Sequence, residues 1–119
     1  MLWQQFTESL DTRLFNGLFD LTPEEKRQEL VESIDQILHI GASTDFGASL
    51  HMARLDNVEG TREVLGLAMS CRRMGRLKRF DYISTAFVAG TRSGWVNEKD
   101  LVRNQKFANS YEQSKFEAE

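Results

Sequence analysis

Tyr111 and Lys115 lie four residues apart in the stretch "NSYEQSKFEAE", and they are the residues of this sequence whose types and spacing could do chemistry. Residues four apart are neighbours on the surface of a helix. A tyrosine has a reference pKa of about 10, so it can exchange protons at neutral pH only where a nearby cation favours its phenolate. Lys115 is placed to supply that cation. Taken alone, the pair is more typical of a solvated helix face.

The beginning of the same helix strengthens this arrangement. Asn109 with Glu112 three residues later is a capping-box pattern, which predicts that the helix begins at Asn109. The positive potential of a helix amino terminus then lies close to Tyr111. Thr85, at the end of a predicted strand, could hydrogen-bond a substrate oxygen that Tyr111 protonates or deprotonates. Such a set of side chains is suited to interconverting a carbonyl and an alcohol.

Helical and extended segments alternate ahead of this helix. The stretch "LTPEEKRQELVESI" predicts a helix from about Pro23 to Ser33, with Thr22 as its N-cap and Glu25 closing a capping box. The apolar run "QILHI" predicts a buried parallel strand, and the small-residue loop after it begins at Gly41.

The middle of the chain continues the alternation. Apolar residues at spacings of three and four predict a long helix from about Leu50 to Met74, which Gly75 ends. The stretch "RFDYISTAFVAG" predicts the next strand, broken at Gly90. Ahead of all these segments, residues 2–10 have helical spacing, and "RLFNGLFDL" predicts a short extended segment.

This order of segments predicts the fold class and the place of the site. Strands that alternate with helices through short connections predict an α/β fold with a parallel sheet. Ligands of such sheets bind at the carboxyl ends of the strands. The segments expected there are residues 41–46 and 84–90, which are small and polar and would let a cofactor or substrate approach closely.

The overall composition argues against several partners. The 119 residues carry a net charge of −3, so no basic field would attract nucleic acid or an anionic membrane. The sequence has one cysteine, Cys71, and shows no leading signal peptide and no apolar run of membrane-spanning length. These features predict a cytoplasmic protein. With only His39 and His51 as further ligands of the zinc-binding type, a structural metal site is not expected.

Four ordered blocks of sequence resemble one superfamily. The blocks "ILHIGAS", "NVEGTREVLGLA", "YISTAFVAG" and "NSYEQSKFEAE" look like the extended short-chain dehydrogenase/reductases, and they are most similar to the thioester reductase and fatty acyl-CoA reductase (male-sterility-type) branch. The resemblance runs from about Phe15 to Glu119. It implies an internal portion of a Rossmann-like parallel sheet with flanking helices, so that residues 1–119 form a partial NAD(P)-binding domain.

The resemblance also implies roles for individual residues. Tyr111 would be the catalytic acid/base, Lys115 would hold the nicotinamide ribose and favour the phenolate, and Thr85 would orient the substrate oxygen. Asn57 would support the active-site loop or a proton relay, although an asparagine there could also cap or interrupt a helix. The residues implied beside the cofactor are Gly41, Ala42, Ser43 and Ser84, together with Lys115.

Two parts of the superfamily pattern do not occur in this sequence. There is no Gly-x-x-Gly-x-x-Gly turn, which opens the helix that receives the cofactor pyrophosphate. Nor is there a carboxyl-terminal substrate region after the block that contains Tyr111. We therefore expect an internal piece of a longer enzyme, inactive as an isolated chain.

The resemblance implies an NAD(P)-dependent reductase. It would pass hydride to an acyl group held as a thioester of CoA or a carrier protein, or to a related carbonyl, with NADPH expected over NADH. Two alternatives stay open. One is a nucleotide-sugar epimerase or dehydratase, which shares the Thr, Tyr and Lys roles, and the other is an inactive truncated binding module. The second predicts an exposed sheet edge and self-association.

Other notable residues have structural interpretations. His39, inside an apolar strand, is expected to be a satisfied core or strand-end histidine, and Cys71 is expected to be a small buried hydrophobe. A cluster of cations between the long helix and the following strand is expected to be a solvated cap, made by Arg72, Arg73, Arg76, Lys78 and Arg79.

Overall fold

Helices alternate with two parallel strands in the structure, a computed structural model that describes residues 23–119. The predicted helix at residues 2–10, the extended segment after it and Thr22 lie outside the described residues. The elements, in chain order, are α1 (Glu24–Ser33), β1 (Gln36–His39), α2 (Leu50–Arg54), a π-helical turn (Leu55–Glu59), α3 (Gly60–Met74), β2 (Arg79–Tyr82), a 3-10 turn (Ala86–Ala89) and α4 (Ser110–Glu117).

The two strands pair in parallel, which confirms the predicted α/β fold with a parallel sheet. Ile37 lies opposite Phe80, and His39 lies opposite Tyr82. The side chains of Ile37 and His39 are buried, but the alternate residue Leu38 is 37% exposed. The prediction that β1 is a buried strand is therefore wrong for one of its faces, because in residues 23–119 helices pack against one face only.

The hydrophobic core lies between α1, α3 and the covered face of the sheet. α3 contributes most of it, because its apolar residues recur at threes and fours and form one stripe. The buried members are Val31, Ile37, Val64, Leu67, Ala68 and Cys71, with Ile34, Leu77 and Phe80 packed against them.

The beginning of α1 differs slightly from the prediction. The helix begins at Glu24, and Pro23 occupies the N-cap position without a side-chain hydrogen bond. Pro23 thus lies one position ahead of the first helical position predicted for it. Its fixed φ still suits a helix start, and the acidic residues Glu24 and Glu25 in the first turn complement the helix dipole.

The predicted long helix runs from Leu50 to Met74 as expected, but it contains the π-helical turn at Leu55–Glu59. At its beginning Ser49 is the N-cap, and its hydroxyl accepts the Met52 N–H at 3.2 Å. Gly75 ends the helix for a steric reason. A Cβ atom at this position would lie 1.9 Å from the carbonyl oxygen of Val31, so only glycine lets α3 end against α1.

The predicted second strand is wrong beyond Tyr82. Ile83 still donates its N–H to the His39 carbonyl at 2.9 Å, but β1 has ended there and gives no further backbone partner. Ser84 therefore lies in a loop, and Thr85 is the N-cap of the 3-10 turn. Gly90 ends that turn with φ +63°, and a Cβ atom there would lie 2.4 Å from the Lys106 carbonyl oxygen.

The predicted cap of α4 is confirmed. The Asn109 side chain accepts the Glu112 N–H at 2.9 Å. The carboxylate of Glu112 accepts the Ala108 N–H at 2.8 Å, one residue earlier in the chain than a standard capping box requires.

The predicted solvated cap of five cations is exposed throughout. Its members include Arg76, whose guanidinium lies 3.7 Å from the Asp35 carboxylate, and such an exposed pair adds little stability. Within residues 23–119, no helix is both long and apolar enough to cross a lipid bilayer.

Candidate active site

The predicted site residues come from four segments that lie against one another, namely the loops after β1 and β2, the π-helical turn and α4. The loops after β1 and β2 leave the same edge of the sheet because the strands are parallel. α4 contacts both α2 and the 3-10 turn. A hydrogen bond of 2.7 Å from the Ser110 hydroxyl to the Ala48 carbonyl ties the first turn of α4 to the loop after β1.

The Lys115 ammonium group is buried at this edge. Its side chain is held by two contacts, a 3.1 Å hydrogen bond from Nζ to the Ile83 carbonyl and a cation–π contact in which Nζ lies 4.4 Å from the centre of the Tyr82 ring. Burial lowers the pKa of Lys115, and the charge of Glu119 acts in the opposite direction. Among the described residues, Ile83 is its one hydrogen-bond acceptor, so the group keeps N–H donors for a ligand.

The Tyr111 side chain lies among aromatic rings. Its ring centre is 5.2 Å from that of Phe46 and 6.4 Å from that of Phe87, which are 6.5 Å from each other. We call Phe46, Phe87 and Tyr111 the aromatic cluster. In the part of the chain that the structure describes, the Tyr111 hydroxyl forms no hydrogen bond, and Lys115 does not bond to it directly. The structure thus brings the pair to one helix without a direct contact between their polar atoms.

Thr85 and Ser84 lie between β2 and the 3-10 turn. Thr85 caps this turn, since its Oγ1 accepts the Phe87 N–H at 3.3 Å. This bond uses the oxygen as an acceptor and leaves the hydroxyl proton of Thr85 available. The Ser84 hydroxyl donates to the carboxylate of Glu119, one residue past α4's C-cap. Both residues are half-buried.

Asn57 is buried inside the π-helical turn, with 2% of its surface exposed. Its Oδ1 accepts the Ser43 N–H at 2.8 Å, and its Nδ2 donates to the Ser43 carbonyl at 3.1 Å and to the Ser114 hydroxyl at 2.9 Å. The side chain therefore joins the loop after β1 to α4. Gly41 and Ala42 lie in the same loop, where Gly41 is exposed and Ala42 half-buried.

Two residues of this polar network, Thr61 and Ser114, were not predicted from the sequence. Tyr82, whose ring contacts Lys115, was not predicted either. Thr61 follows Asn57 by four residues on the same helix face, and its hydroxyl donates to the Asn57 carbonyl at 2.7 Å. Because that bond uses the only hydroxyl proton, the His39 Nε2, which lies 3.0 Å from Thr61 Oγ1, must be the donor of their bond.

His39 and Tyr82 stack between this network and Lys115. Their ring centres are 5.5 Å apart, as expected for opposite residues on one face of neighbouring strands. Burial, and then the charge of Lys115, lower the pKa of His39. Burial raises the pKa of Tyr82 to about 12. The prediction of a satisfied strand-end histidine is confirmed. Tyr82 could have been predicted by aligning the two predicted strands in parallel, which places it opposite His39.

The comparisons with known proteins agree with this fold. The family model described as male sterility protein, an NAD-binding domain, matches residues 19–119. The chain therefore belongs to the male sterility protein family of NAD-binding domains, which confirms the resemblance stated from the four sequence blocks.

Similar curated proteins are fatty acyl-CoA reductases. Fatty acyl-CoA reductase 2, chloroplastic, of Arabidopsis thaliana is 33% identical over 72 residues, 60% of this chain and 11% of that protein. The alcohol-forming fatty acyl-CoA reductase of Simmondsia chinensis is 32% identical over 73 residues, 61% of this chain and 14% of that protein. Fatty acyl-CoA reductase wat of Drosophila melanogaster is 35% identical over 63 residues, 53% of this chain and 12% of that protein.

The chain thus spans only about one-eighth of the length of these relatives, since the matched shares lie between 11% and 14%. No solved structure matches the chain significantly.

Proposed function

We propose that this chain is part of an NAD(P)-dependent reductase that acts on an acyl group held as a thioester, with Tyr111, Lys115 and Thr85 in its active site. The observation that carries the proposal is the buried ammonium group of Lys115, which lies on the same helix as Tyr111. A backbone carbonyl at the carboxyl edge of the sheet accepts a hydrogen bond from it. The named activities of the similar reductases support the choice of substrate.

The position of Lys115 favours a ligand-binding role over a structural one. Removing an ammonium group from water is costly unless other groups replace its hydrogen bonds. Here a carbonyl and an aromatic face replace them only in part. The hydroxyl groups of a nicotinamide ribose are acceptors that would complete the set, so the residues present fit this cofactor.

The same residues provide for proton transfer. A bound nicotinamide nucleotide would supply the electrons of the reduction. Tyr111 would give its phenolic proton to the substrate oxygen, and Lys115 would favour the negative charge that this leaves. Thr85 would donate a hydrogen bond from its hydroxyl to the same substrate oxygen and keep its proton, since its Oγ1 already accepts the Phe87 N–H.

The loop after β1 would lie beside the cofactor. Gly41 and Ala42 present little side-chain bulk, and Asn57 holds the next residue, Ser43, through both its N–H and its carbonyl. Ser84 is placed by its bond to Glu119 at the start of the neighbouring loop. We expect NADPH as the donor over NADH, and we expect the pyrophosphate to be bound by residues outside this sequence.

Substrate trials test the proposal. The intact protein that carries this chain is expected to oxidise NADPH when an acyl-CoA or an acyl carrier thioester is added, and not when a nucleotide sugar is added. Oxidation with the sugar alone would support an epimerase or dehydratase instead. If neither substrate is turned over and NADPH does not bind, the chain is better described as an inactive binding module, for which we predict self-association.

The Tyr111→Phe variant tests the residue assignment. Loss of the phenolic proton should lower kcat by about 100- to 10,000-fold, with the dissociation constant for NADPH nearly unchanged. Tyr111→Phe keeps the ring and its packing against Phe46, so a folding defect is not expected. Undiminished turnover in this variant would reject Tyr111 as the acid. We expect the isolated 119-residue chain to show no turnover.

A further inference from the structure

The aromatic cluster presents apolar surface at the candidate active site. Phe46 is 56% exposed and Phe87 is 54% exposed, although both are large apolar side chains. Their rings do not lie apart on the surface but contact each other and Tyr111, at centre-to-centre distances of 5.2 to 6.5 Å. A continuous exposed apolar patch of this kind is typical of a surface that binds an apolar partner.

The backbone that carries each ring is held by hydrogen bonds of its own loop. Phe87 is fixed by the cap from Thr85 and by a 2.9 Å bond from the Gly90 N–H to its carbonyl. Phe46 lies in a turn closed by bonds from Gly47 and Ala48 to Asp45. The backbone positions that present the two rings are therefore fixed by the chain itself, which lowers the entropic cost of binding.

The place of the patch defines what it would bind. We propose that Phe46 and Phe87 form, with the ring of Tyr111, the wall against which the first methylene groups of a substrate acyl chain lie. The third ring of the patch carries the hydroxyl proposed to meet the carbonyl oxygen, so the other two rings lie within reach of the chain that begins at the carbonyl carbon. This inference rests on the proposed reductase function and names the part of the substrate that the site selects.

Both the hydroxyl that orients the oxygen and one ring of the wall come from a single short turn. Thr85 begins the 3-10 turn and Phe87 is its second residue. A substrate whose carbonyl oxygen is bound by Thr85 would therefore place the first methylene groups of its acyl chain close to Phe87. A nucleotide sugar would instead place hydroxyl groups against these rings, where they would lose hydrogen bonds to water.

The test compares acyl chains of two lengths in the intact protein that carries this chain. The kcat/KM for octanoyl-CoA should fall about 10-fold in Phe46→Ala and in Phe87→Ala, since each methylene buried on a phenyl wall accounts for about fourfold in affinity. The kcat/KM for acetyl-CoA, which lacks those methylenes, should change less than about threefold. Met69→Ala, which truncates an equally exposed apolar residue of α3 at 54% exposure, is the matched control and should change neither value.

Binding without turnover separates this inference from the proposed function. Octyl-CoA and ethyl-CoA are thioethers that cannot be reduced, and only the binding of octyl-CoA should weaken in the two Phe variants. If thioesters are reduced but Phe46→Ala and Phe87→Ala keep the wild-type preference for octanoyl-CoA, the acyl wall is wrong and the reductase function stands. If octyl-CoA binding depends on both rings while no thioester is reduced, the wall stands and the reductase function fails. If octyl-CoA binds no better than ethyl-CoA to the wild type, the wall is also wrong.

Discussion

Replacing Asn57 by alanine should destabilise the domain more than a typical polar substitution does. The side chain is 2% exposed, and it makes three hydrogen bonds of 2.8 to 3.1 Å, two with the backbone of Ser43 and one with the hydroxyl of Ser114. At about 1 kcal/mol for each bond, their loss costs about 3 kcal/mol. The higher helix propensity of alanine returns about 0.5 kcal/mol, so the free energy of unfolding should fall by about 2–3 kcal/mol.

Urea unfolding followed by circular dichroism measures this loss. Ser114→Ala should cost about 1–2 kcal/mol, because it removes one of the three bonds of Asn57 and the 3.0 Å bond from the Ser114 hydroxyl to the Tyr111 carbonyl. In the double variant the two losses should not add, and a coupling energy of about 1 kcal/mol is expected for groups in direct contact. Asn97→Ala, at an exposed asparagine, is the matched control and should change stability by less than about 0.5 kcal/mol.

Two results would refute this reasoning. One is a loss below about 1 kcal/mol in Asn57→Ala, which would mean that water replaces the three bonds at no cost. The other is strict additivity with Ser114→Ala, which would mean that the two side chains do not bond to each other in solution.

Three further predictions use the buried groups around Lys115 and in the core. Burial lowers the pKa of His39 in the folded protein, so the unfolded chain binds a proton at this histidine more readily. The stability that this neutral histidine allows above pH ~6.5 should therefore be lost as the pH falls below that value. His39→Gln should flatten this dependence and the exposed His51→Gln should not; an unchanged slope in His39→Gln would contradict the assignment. Tyr82→Leu should lower the free energy of unfolding by about 1 kcal/mol more than Tyr82→Phe, which keeps the ring beneath Lys115, and equal losses would argue against the cation–π contact. Cys71 is 0% exposed and burial raises its pKa, so a thiol reagent should label it only on unfolding; rapid labelling of the native protein would show that the core is open there.

Local signals predicted the elements well where neighbouring residues decide the structure. Asn109 and Glu112 stand three apart and make the cap of α4 with each other and with Ala108, so a short window of sequence contains the whole interaction. The parallel sheet was predicted from two strand-like runs separated by a helix. The overextended second strand shows the limit, because its end depends on where β1 stops and not on its own composition.

The site was predicted only in part, because its polar contacts join distant parts of the chain. The bond between Asn57 and Ser114 spans 57 residues, and the one between His39 and Thr61 spans 22. No periodic pattern in a sequence window reports such pairs. The π-helical turn was missed for a related reason, since its five residues continue the apolar spacing of an ordinary helix.

The number of residues in the π-helical turn also determines how α2 is rotated about its axis relative to α3. α2 faces α4, whereas α3 faces the sheet and α1. Arg54 of α2 and Glu117 of α4 form an ion pair of 2.6 Å. A helix advances about 100° for each residue, so removing one residue from Leu55–Glu59 would turn α2 by about that angle about its axis relative to α3. Arg54 would then point away from α4 while the hydrophobic core kept its packing. In this family member, the π-helical turn sets the rotation between α2 and α3. One continuous helix can therefore contact α4 through α2 and the sheet through α3.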